Sequence, residues 1–218
     1  MYDHRPRLGR SFYSRDTLRV ARELLGKQLV HESEGCLTVG EIVETEAYIG
    51  PYDRASHAFQ GRRTPRVKVQ YGPSGHAYVY TIHGRHCFNI TTGPEGSPEV
   101  VLIRALRPVH GLELMANRRR IDIAESSGKR KKELCNGPCK LCEAMGINPK
   151  HYGIDLCGKV IYLKEGLNLG SNEIATTQRI GIDYAGEAKD YSWRFCVSDC
   201  RYVSKPVKTT RSRSINRQ

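Results

Sequence analysis

CLTVGEIVETEAYI, residues 36–49, decides the fold, because its side chains alternate with the period of two that marks a β-strand. The polar residues Glu44, Glu46 and Tyr48 fall on one face of this predicted strand. The opposite face is predicted to carry Leu37, Val39, Val43, Ala47 and Ile49. Two carboxylates and a tyrosine are therefore expected together on one side of a β-sheet.

Neighbouring segments predict helices and further strands around this one. YSRDTLRVARELLGKQLV (13–30) has a helical apolar stripe that Ser14 or Asp16 can cap, and it leads into a second strand. GHAYVYTIHGRHCFNITT (75–92) predicts a β-hairpin whose turn is His83–Gly84. Further strands are predicted at 98–108, 159–163 and 194–198, and a helical, basic region at 110–147.

The composition favours one basic domain with a polyanionic partner. The 218 residues include 35 Lys and Arg against 23 Asp and Glu, a formal charge of +12, and 39% are hydrophobic. This charge favours nucleic acid first and an anionic membrane surface second, and ordinary basic solubility stays open as the alternative. We expect residues 1–205 to form the domain and residues 206–218 to form a basic, disordered tail.

Hydropathy and the first ten residues give an expectation for the cellular location of the protein. No run approaches the roughly 20 apolar residues of a membrane span. The opening MYDHRPRLGR also lacks the apolar segment of a secretory signal. We therefore expect no membrane partner, and a location in the cytoplasm with the nucleoid, or in the nucleus of a eukaryotic cell.

The segment CNGPCKLC, residues 135–142, introduces a candidate metal site. Cys135, Cys139 and Cys142 have the C-x3-C-x2-C spacing often seen around iron–sulfur clusters, and Cys157 could supply a fourth thiolate. The alternative is three reduced thiols near the start of a helix. Spacing without structural context does not decide between the two.

Glu46 is the first candidate for a catalytic group. A carboxylate beside another carboxylate and an aromatic ring tends towards a raised pKa, which suits a general base. The alternative is an exposed glutamate paired with an arginine. Tyr48, Tyr78 and Tyr80 lie near Arg- and Gly-rich loops, a combination that suits base stacking at roughly 1–3 kcal/mol per stack. Packing of these tyrosines in the core is the alternative.

An ordered set of motifs resembles one family of DNA repair enzymes. In chain order the motifs are VETEAY (43–48), GPYDRASH (50–57), TPR (64–66), GHAYVY (75–80), Asn89, VLIRALRP (101–108), CNGPCKLC (135–142) and RIGIDYAG (179–186). Together, from about Arg7 to about Pro206, they resemble the alkyladenine (3-methylpurine) DNA glycosylase family. No single motif is decisive, but the ordered set is highly specific.

The resemblance implies an activity and the residues that perform it. Glu46 matches the general base that activates water for attack on C1′ of the damaged nucleotide. Arg104 matches the arginine that helps to hold this water. Tyr48, His57 and Tyr80 match the walls of the pocket for the flipped-out base.

Other matched residues concern the choice of base and the duplex. Asn89 matches an asparagine beneath the base that disfavours the exocyclic amine of guanine. The resemblance implies a hairpin in the minor groove, and the residues expected at the DNA are His83, Gly84, Arg85, Tyr78 and Arg66. The family's usual turn is Tyr-Gly, so His83 departs from the pattern at the wedge position, where Arg85 or His86 could contribute.

The implied fold is α+β, a single mixed domain with a central antiparallel β-sheet, flanking helices and a protruding DNA-intercalating β-hairpin. The implied enzyme is monofunctional, and 3-methyladenine is its main substrate, with 7-methylguanine, hypoxanthine and ethenoadenine as further candidates. Its partner is damaged double-stranded DNA, bound by a monomer, and no cofactor or metal is implied. A non-catalytic DNA-binding protein and a metal enzyme that uses the cysteines are the two alternatives.

Overall fold

A computed structural model describes residues 5–33, 35–123 and 129–207 of the chain. Within these ranges, eight strands form one open antiparallel sheet. The strands are β1 (Gln28–Ser33), β2 (Cys36–Ile49), β3 (Ala77–Ile82), β4 (Arg85–Thr92), β5 (Glu99–His110), β6 (Ile161–Lys164), β7 (Ile174–Thr177) and β8 (Arg194–Val197). The predicted α+β class with a central antiparallel sheet is confirmed. Of the tail predicted over 206–218, residues 208–218 lie outside the described part.

The long strand β2 organises the sheet. The main path runs β3-β4-β5-β2-β1-β6, and β8 pairs with both β2 and β7. Strand β5 lies along one edge of β2, while β1 covers the other edge up to Glu41 and β8 pairs there from Glu44 to Glu46. Side chains from three neighbouring strands can therefore reach the centre of β2.

The helices of the described ranges are short. They are α1 (Arg10–Tyr13), α2 (Thr17–Glu23), α3 (Leu112–Arg119), α4 (Lys129–Glu133) and α5 (Pro138–Met145). Asp16, one of the two predicted caps, begins α2 by accepting a hydrogen bond of 2.8 Å from the backbone N–H of Arg19. The helical pattern over 110–147 corresponds to α3, α4 and α5, and residues 124–128 lie outside the described part. Helix α1 and strand β7 were not predicted.

Nothing in these described helices has the length and apolar character needed to cross a membrane.

The predicted position of Val43 is wrong, because β2 contains a bulge. The register between β2 and β5 shifts on both sides of Glu44. Ile42 and Ala47 consequently lie in the main hydrophobic core, whereas Val43 packs against a separate cluster of Ala105, Cys196 and Val203. Leu37 and Val39, predicted on the same face as Ala47, belong to a further cluster with Val30 and Tyr162. An extra residue in one strand shifts the alternation of its side chains, which the period alone does not reveal.

The hairpin predicted over 75–92 is confirmed. Strands β3 and β4 pair up to Ile82 and Arg85, which leaves His83 and Gly84 as a two-residue turn. The φ angles of these two residues are +48° and +71°. Positive φ at both positions is the geometry of a type I′ turn, whose twist matches that of the flanking strands.

The two faces of the sheet differ in chemistry. One face packs into the main core, whose buried members include Val20 of α2, Phe88 of β4, Ile103 of β5 and Leu141 of α5. The opposite face of β2, β3, β4 and β5 carries tyrosines, carboxylates and an arginine. This polar face is the candidate site.

A buried histidine on the core side gives the fold a predictable pH dependence. The Nδ1 of His31 lies 2.6 Å from the carbonyl oxygen of Met145, so this nitrogen carries the proton. Burial lowers the pKa of His31, and Arg118 adds to that effect while the Met145 carbonyl opposes it. Because the folded-state pKa is lowered, the unfolded state takes up the proton first as the pH falls.

We expect the free energy of unfolding to fall as the pH decreases from about 6.5, the ordinary pKa of histidine, towards the lowered pKa of His31. Urea denaturation at several pH values between about 7.5 and 5.5 measures the slope. His31→Asn can still donate to Met145 but has no titrating ring, so its stability should depend less on pH in this window. Equal slopes in the two proteins would contradict the prediction.

Candidate active site

Glu44, Glu46 and Tyr48 lie on one side of the sheet, where Arg104 of β5 contacts both carboxylates. The Nε of Arg104 lies 2.9 Å from Oε1 of Glu44, and its Nη1 lies 3.2 Å from Oε2 of Glu46. All three charged side chains are buried. A cation between two carboxylates offsets their mutual repulsion and fixes their positions.

Glu46 is fully buried, with 0% of its surface exposed, so the alternative of an exposed strand glutamate is wrong. Besides Arg104, its Oε2 accepts a hydrogen bond of 2.8 Å from the Tyr48 hydroxyl, and its Oε1 accepts one of 2.8 Å from the Ile180 N–H. Burial raises the pKa of Glu46, although these three donors favour the carboxylate. A rigidly held carboxylate whose pKa is raised towards neutrality is suited to accepting a proton.

Glu44 has a different environment, although it lies only two residues away. Its oxygens accept hydrogen bonds of 2.5–2.9 Å from Arg104, Arg194 and the backbone and hydroxyl of Ser204. Burial would raise the pKa of Glu44, but the two guanidinium groups and Ser204 outweigh burial and lower it. Glu44 therefore stays charged, and Glu46 is the carboxylate that can exchange a proton.

A cavity of about 650 Å³ opens beside this carboxylate pair. Its volume falls within the range of small-molecule sites. The three residues predicted as pocket walls, Tyr48, His57 and Tyr80, all line it, as does Arg104. Glu46 lies immediately behind this lining, because it is hydrogen-bonded to Tyr48 and Arg104.

One wall of the cavity is aromatic. The rings of His57 and Tyr80 meet edge to face with centroids 4.7 Å apart, and the Tyr78 and Tyr80 rings lie 5.4 Å apart. Burial, assisted by Arg66 and Arg62, lowers the pKa of His57, so its ring is neutral at pH 7. Tyr78 was expected at the DNA, but it is only 1% exposed, and its hydroxyl lies 2.7 Å from Nδ1 of His57. Tyr78 therefore belongs to the pocket.

Asn89 supplies an amide group to the same cavity. It lies on β4 opposite Leu102 of β5. Its Nδ2 donates a hydrogen bond of 3.0 Å to the carbonyl oxygen of Tyr78, and this bond fixes the plane of the amide. The cavity thus contains a polar group with a fixed orientation.

The other residues expected at the DNA are exposed near the mouth of the cavity. His83, Gly84, Arg85 and Arg66 are all exposed, and His83 and Arg85 also line the cavity. The Nη2 of Arg66 donates a hydrogen bond of 3.2 Å to the carbonyl oxygen of Thr81, which attaches the preceding loop to the hairpin. Arginines around an exposed turn are suited to contact phosphates.

The sequence analysis did not predict a buried ion pair that supports the site. The side chains of Arg179 and Asp53 are both 0% exposed and are joined by two hydrogen bonds of 2.5 and 2.8 Å. The guanidinium of Arg179 also lies 4.7 Å from the Tyr48 ring, and the next residue, Ile180, donates to Glu46. Both ion-pair partners stand in quoted motifs, but they are 126 residues apart, so no local spacing joins them.

The cysteines of CNGPCKLC occupy different environments. The sulfur of Cys139 lies 3.8 Å from that of Cys87 on β4, and both residues line the cavity. Cys135 and Cys142 are buried, and Cys157 is half-buried. Across the described ranges, no group of three or more His, Cys, Asp and Glu side chains is arranged to hold a metal ion.

Comparison with known proteins identifies the family to which this site belongs. A family model for methylpurine-DNA glycosylase matches residues 11–201. Proteins of Desulfitobacterium hafniense and Clostridium acetobutylicum are each 52% identical to the chain over 200 residues, which cover 91% of this chain and 98% and 97% of those relatives. A Clostridium novyi protein is 47% identical over 201 residues, 91% of this chain and 98% of its own. All three carry the provisional name 3-methyladenine DNA glycosylase.

The matched region includes the carboxylate pair, the aromatic cavity, the hairpin and the Arg179–Asp53 pair. The resemblance inferred from the ordered motifs is thereby confirmed. The chain belongs to the methylpurine-DNA glycosylase family and is a DNA glycosylase, an enzyme that hydrolyses N-glycosyl bonds.

Proposed function

We propose that this DNA glycosylase excises N-alkylated purines, 3-methyladenine above all, from double-stranded DNA and leaves an abasic site. The observation that carries the proposal is the position of Glu46, which lies buried behind the wall of an aromatic cavity and is paired with Arg104 in that wall. The names of the relatives point to the same substrate. The bases 7-methylguanine, hypoxanthine and ethenoadenine are further candidates.

The damaged base must leave the duplex to reach the cavity, at a cost of a few kcal/mol. In the cavity it would lie among the rings of Tyr48, His57 and Tyr80. Alkylation at N3 or N7 gives the purine a positive charge, which is attracted to the electron-rich faces of tyrosine rings. Because His57 is neutral, it does not repel this charge.

The chemical step requires only a general base, Glu46, and a water molecule. Water beside Arg104 transfers a proton to the Glu46 carboxylate while its oxygen bonds to C1′ of the sugar. The bond from C1′ to the purine nitrogen breaks, and its electron pair leaves with the base. A cationic purine leaves readily, so it needs no additional acid.

The same site supports a monofunctional enzyme. A glycosylase that also cleaves the DNA strand commonly uses an amine that forms a Schiff base with the sugar. Among the described residues that line the cavity there is no lysine. Hydrolysis by water is therefore the reaction that this cavity favours.

Base release from defined duplexes tests the function. A duplex with a single 3-methyladenine is mixed with excess enzyme, and free base and abasic sites are measured against the same duplex without the lesion. We expect release from the damaged duplex only. Tight, salt-sensitive binding without release of 3-methyladenine, 7-methylguanine or hypoxanthine would contradict the proposal and favour a non-catalytic DNA-binding protein.

His83→Ala is expected to slow excision from a fully paired duplex by about tenfold or more. Loss of the wedge at the hairpin tip removes the group that would fill the gap left by the extruded base. The loss should be smaller for a lesion in single-stranded DNA, where extrusion costs less. Single-turnover rates on the two substrates measure the difference.

His86→Ala is the matched control for this prediction. His86 lies on the same hairpin, but it is half-buried, and its Nδ1 is 3.1 Å from Oγ1 of Thr81. We expect it to affect excision less than His83→Ala. A larger loss in His86→Ala would show that the wedge has been placed at the wrong residue.

A further inference from the structure

Two cysteines that the proposed chemistry does not use lie side by side in the wall of the cavity. Cys87 of β4 and Cys139 of α5 both line it, and their sulfur atoms are 3.8 Å apart. Both thiols are free. The two residues are 52 positions apart in the chain, so tertiary structure alone brings them together. Two neighbouring free thiols can form a disulfide bond when an oxidant reaches one of them.

The two thiols differ in their access to solvent. Cys87 is 3% exposed, and burial, together with the neighbouring Cys139, raises the pKa of the Cys87 thiol to about 12. Cys139 is half-buried and lies in the first turn of α5. The thiolate is the nucleophile in thiol–disulfide exchange, and a dissolved oxidant must also be able to approach it. Cys139 is therefore the thiol that reacts first, and Cys87 is the thiol that closes the bond.

The cysteine pair adjoins residues that would surround the base. Cys87 is the direct cross-strand partner of Tyr80 in the pairing of β3 with β4, and Asn89 lies two residues further along β4. Cys139 follows Pro138, which also lines the cavity. Cross-strand partners share a face of the sheet, with Cβ atoms about 5 Å apart. A displacement of Cys87 consequently alters the packing of Tyr80.

We propose that Cys87 and Cys139 form a reversible disulfide bond when they meet a low-molecular-weight disulfide, and that this bond slows base excision. The Cys139 sulfur attacks one sulfur of the oxidant, whose S–S bond breaks, and half of the oxidant leaves as a thiol with the Cys139 proton. The Cys87 sulfur then attacks Cys139 in this mixed disulfide, and the other half leaves with the Cys87 proton. The two cysteines lose two electrons and two protons, and the oxidant gains them.

The bond changes the shape of the cavity wall. A disulfide has an S–S distance of about 2.05 Å, so the two sulfur atoms approach each other by roughly 1.8 Å from their present 3.8 Å. The bond also attaches the start of α5 to β4. Because a misplacement of about 1 Å can cost about a hundredfold in rate, we expect the oxidised protein to excise at least about tenfold more slowly. Only this expected rate rests on the proposed function, since the bond can be detected without a substrate.

Peptide mapping of the folded, full-length protein tests whether the bond forms. The protein is equilibrated with mixtures of reduced and oxidised glutathione, its remaining thiols are alkylated, and its peptides are identified by mass spectrometry. We expect one pair of peptides joined through Cys87 and Cys139, and we expect dithiothreitol to separate them. Free thiols in every mixture, a bond between other cysteines, or Cys139 joined only to glutathione would overturn the proposal.

The rate of 3-methyladenine release in the same mixtures tests the effect of the bond, with each protein compared with its own reduced form. The wild type should lose about tenfold or more and recover on reduction. Cys139→Ser and Cys87→Ala should lose little, because each lacks one of the two sulfurs. An equal loss in either variant and the wild type, or a linked wild type that excises at its reduced rate, would overturn the proposal.

Cys36→Ser is the matched control for oxidation elsewhere in the protein. Cys36 is exposed at the start of β2 and does not line the cavity, so this variant should lose as much activity as the wild type. Protection by Cys36→Ser would assign the loss to the wrong cysteine. If the reduced wild type releases no methylpurine, the proposed function fails. The peptide map still decides whether the bond forms, and the affinity of the reduced and oxidised proteins for the damaged duplex then replaces the rate.

Discussion

Glu46→Gln is expected to lower the single-turnover rate of base release by about 10²- to 10⁴-fold, the usual contribution of a general base. Glutamine has nearly the same shape as glutamate, and its oxygen can still accept the hydrogen bonds from Tyr48 and Arg104, while its amide nitrogen takes the place of the oxygen that accepts from Ile180. It cannot accept the proton from water. Binding of the damaged duplex should therefore be retained while release is lost.

The pH dependence of the wild-type rate provides an independent check. Burial raises the pKa of Glu46, and only its carboxylate form accepts a proton. The rate should therefore be constant above this raised pKa and fall as the pH decreases through it. A rate that does not decrease on acidification, in protein that remains folded, would contradict the role of Glu46.

Glu41→Gln is the matched control. Glu41 lies on the same strand and is also paired with an arginine of β5, but this arginine, Arg107, does not line the cavity, whereas Arg104 does. We expect the rate of Glu41→Gln to stay within about threefold of the wild-type rate, because ion pairs with an exposed partner contribute little. The Arg107 side chain of this pair is 45% exposed. A near-wild-type rate for Glu46→Gln, or an equal loss in the two variants, would exclude Glu46 as the base.

Asp53→Asn is expected to lower the free energy of unfolding by about 3–5 kcal/mol, because it leaves the charge of Arg179 buried without its partner. Asp53 also accepts hydrogen bonds from the backbone N–H groups of Ile49 and Ala55. The carboxylate therefore connects β2, the loop that carries His57 and the segment of Arg179. Urea denaturation at constant pH measures the loss.

The double variant Asp53→Asn with Arg179→Met distinguishes the contribution of this ion pair to stability from its effect on the positions of Tyr48 and Glu46. It contains no buried charge in this place, so we expect it to recover much of the stability that Asp53→Asn loses. Excision by the double variant should be slower than by the wild type, because Arg179 no longer lies against Tyr48 next to the Ile180 N–H that holds Glu46. If Asp53→Asn unfolds within about 0.5 kcal/mol of the wild type, the pair does not stabilise the fold. If the double variant excises at the wild-type rate, the pair does not position the site.

Local patterns in the sequence predicted most of the sheet. Alternation identified β2, and the Tyr and His-Gly pattern identified the hairpin, because a strand and a two-residue turn depend on residues close in the chain. The same alternation was wrong for Val43, because the bulge at Glu44 arises from pairing with β5. Residues 10–13 and 174–177 are too short to give a clear period, and α1 and β7 were missed for this reason.

Within the site, sequence and tertiary structure contributed different parts. The motifs alone were enough to name Glu46, Arg104, Tyr48 and His57 as one group of residues. They did not reveal which glutamate stays charged, since the partners that lower the pKa of Glu44 include Arg194 and Ser204, which lie 150 and 160 residues further along the chain.

What the sequence determined by itself was the family, the main strands and the chemistry available on one face of β2, because these follow from residue type and short-range spacing. Tertiary structure alone decided that Tyr78 is buried and that Arg179 lies against Tyr48, next to the Ile180 N–H that holds Glu46. Burial and charge pairing depend on which distant segments meet. The order of residues along the chain does not reveal these contacts.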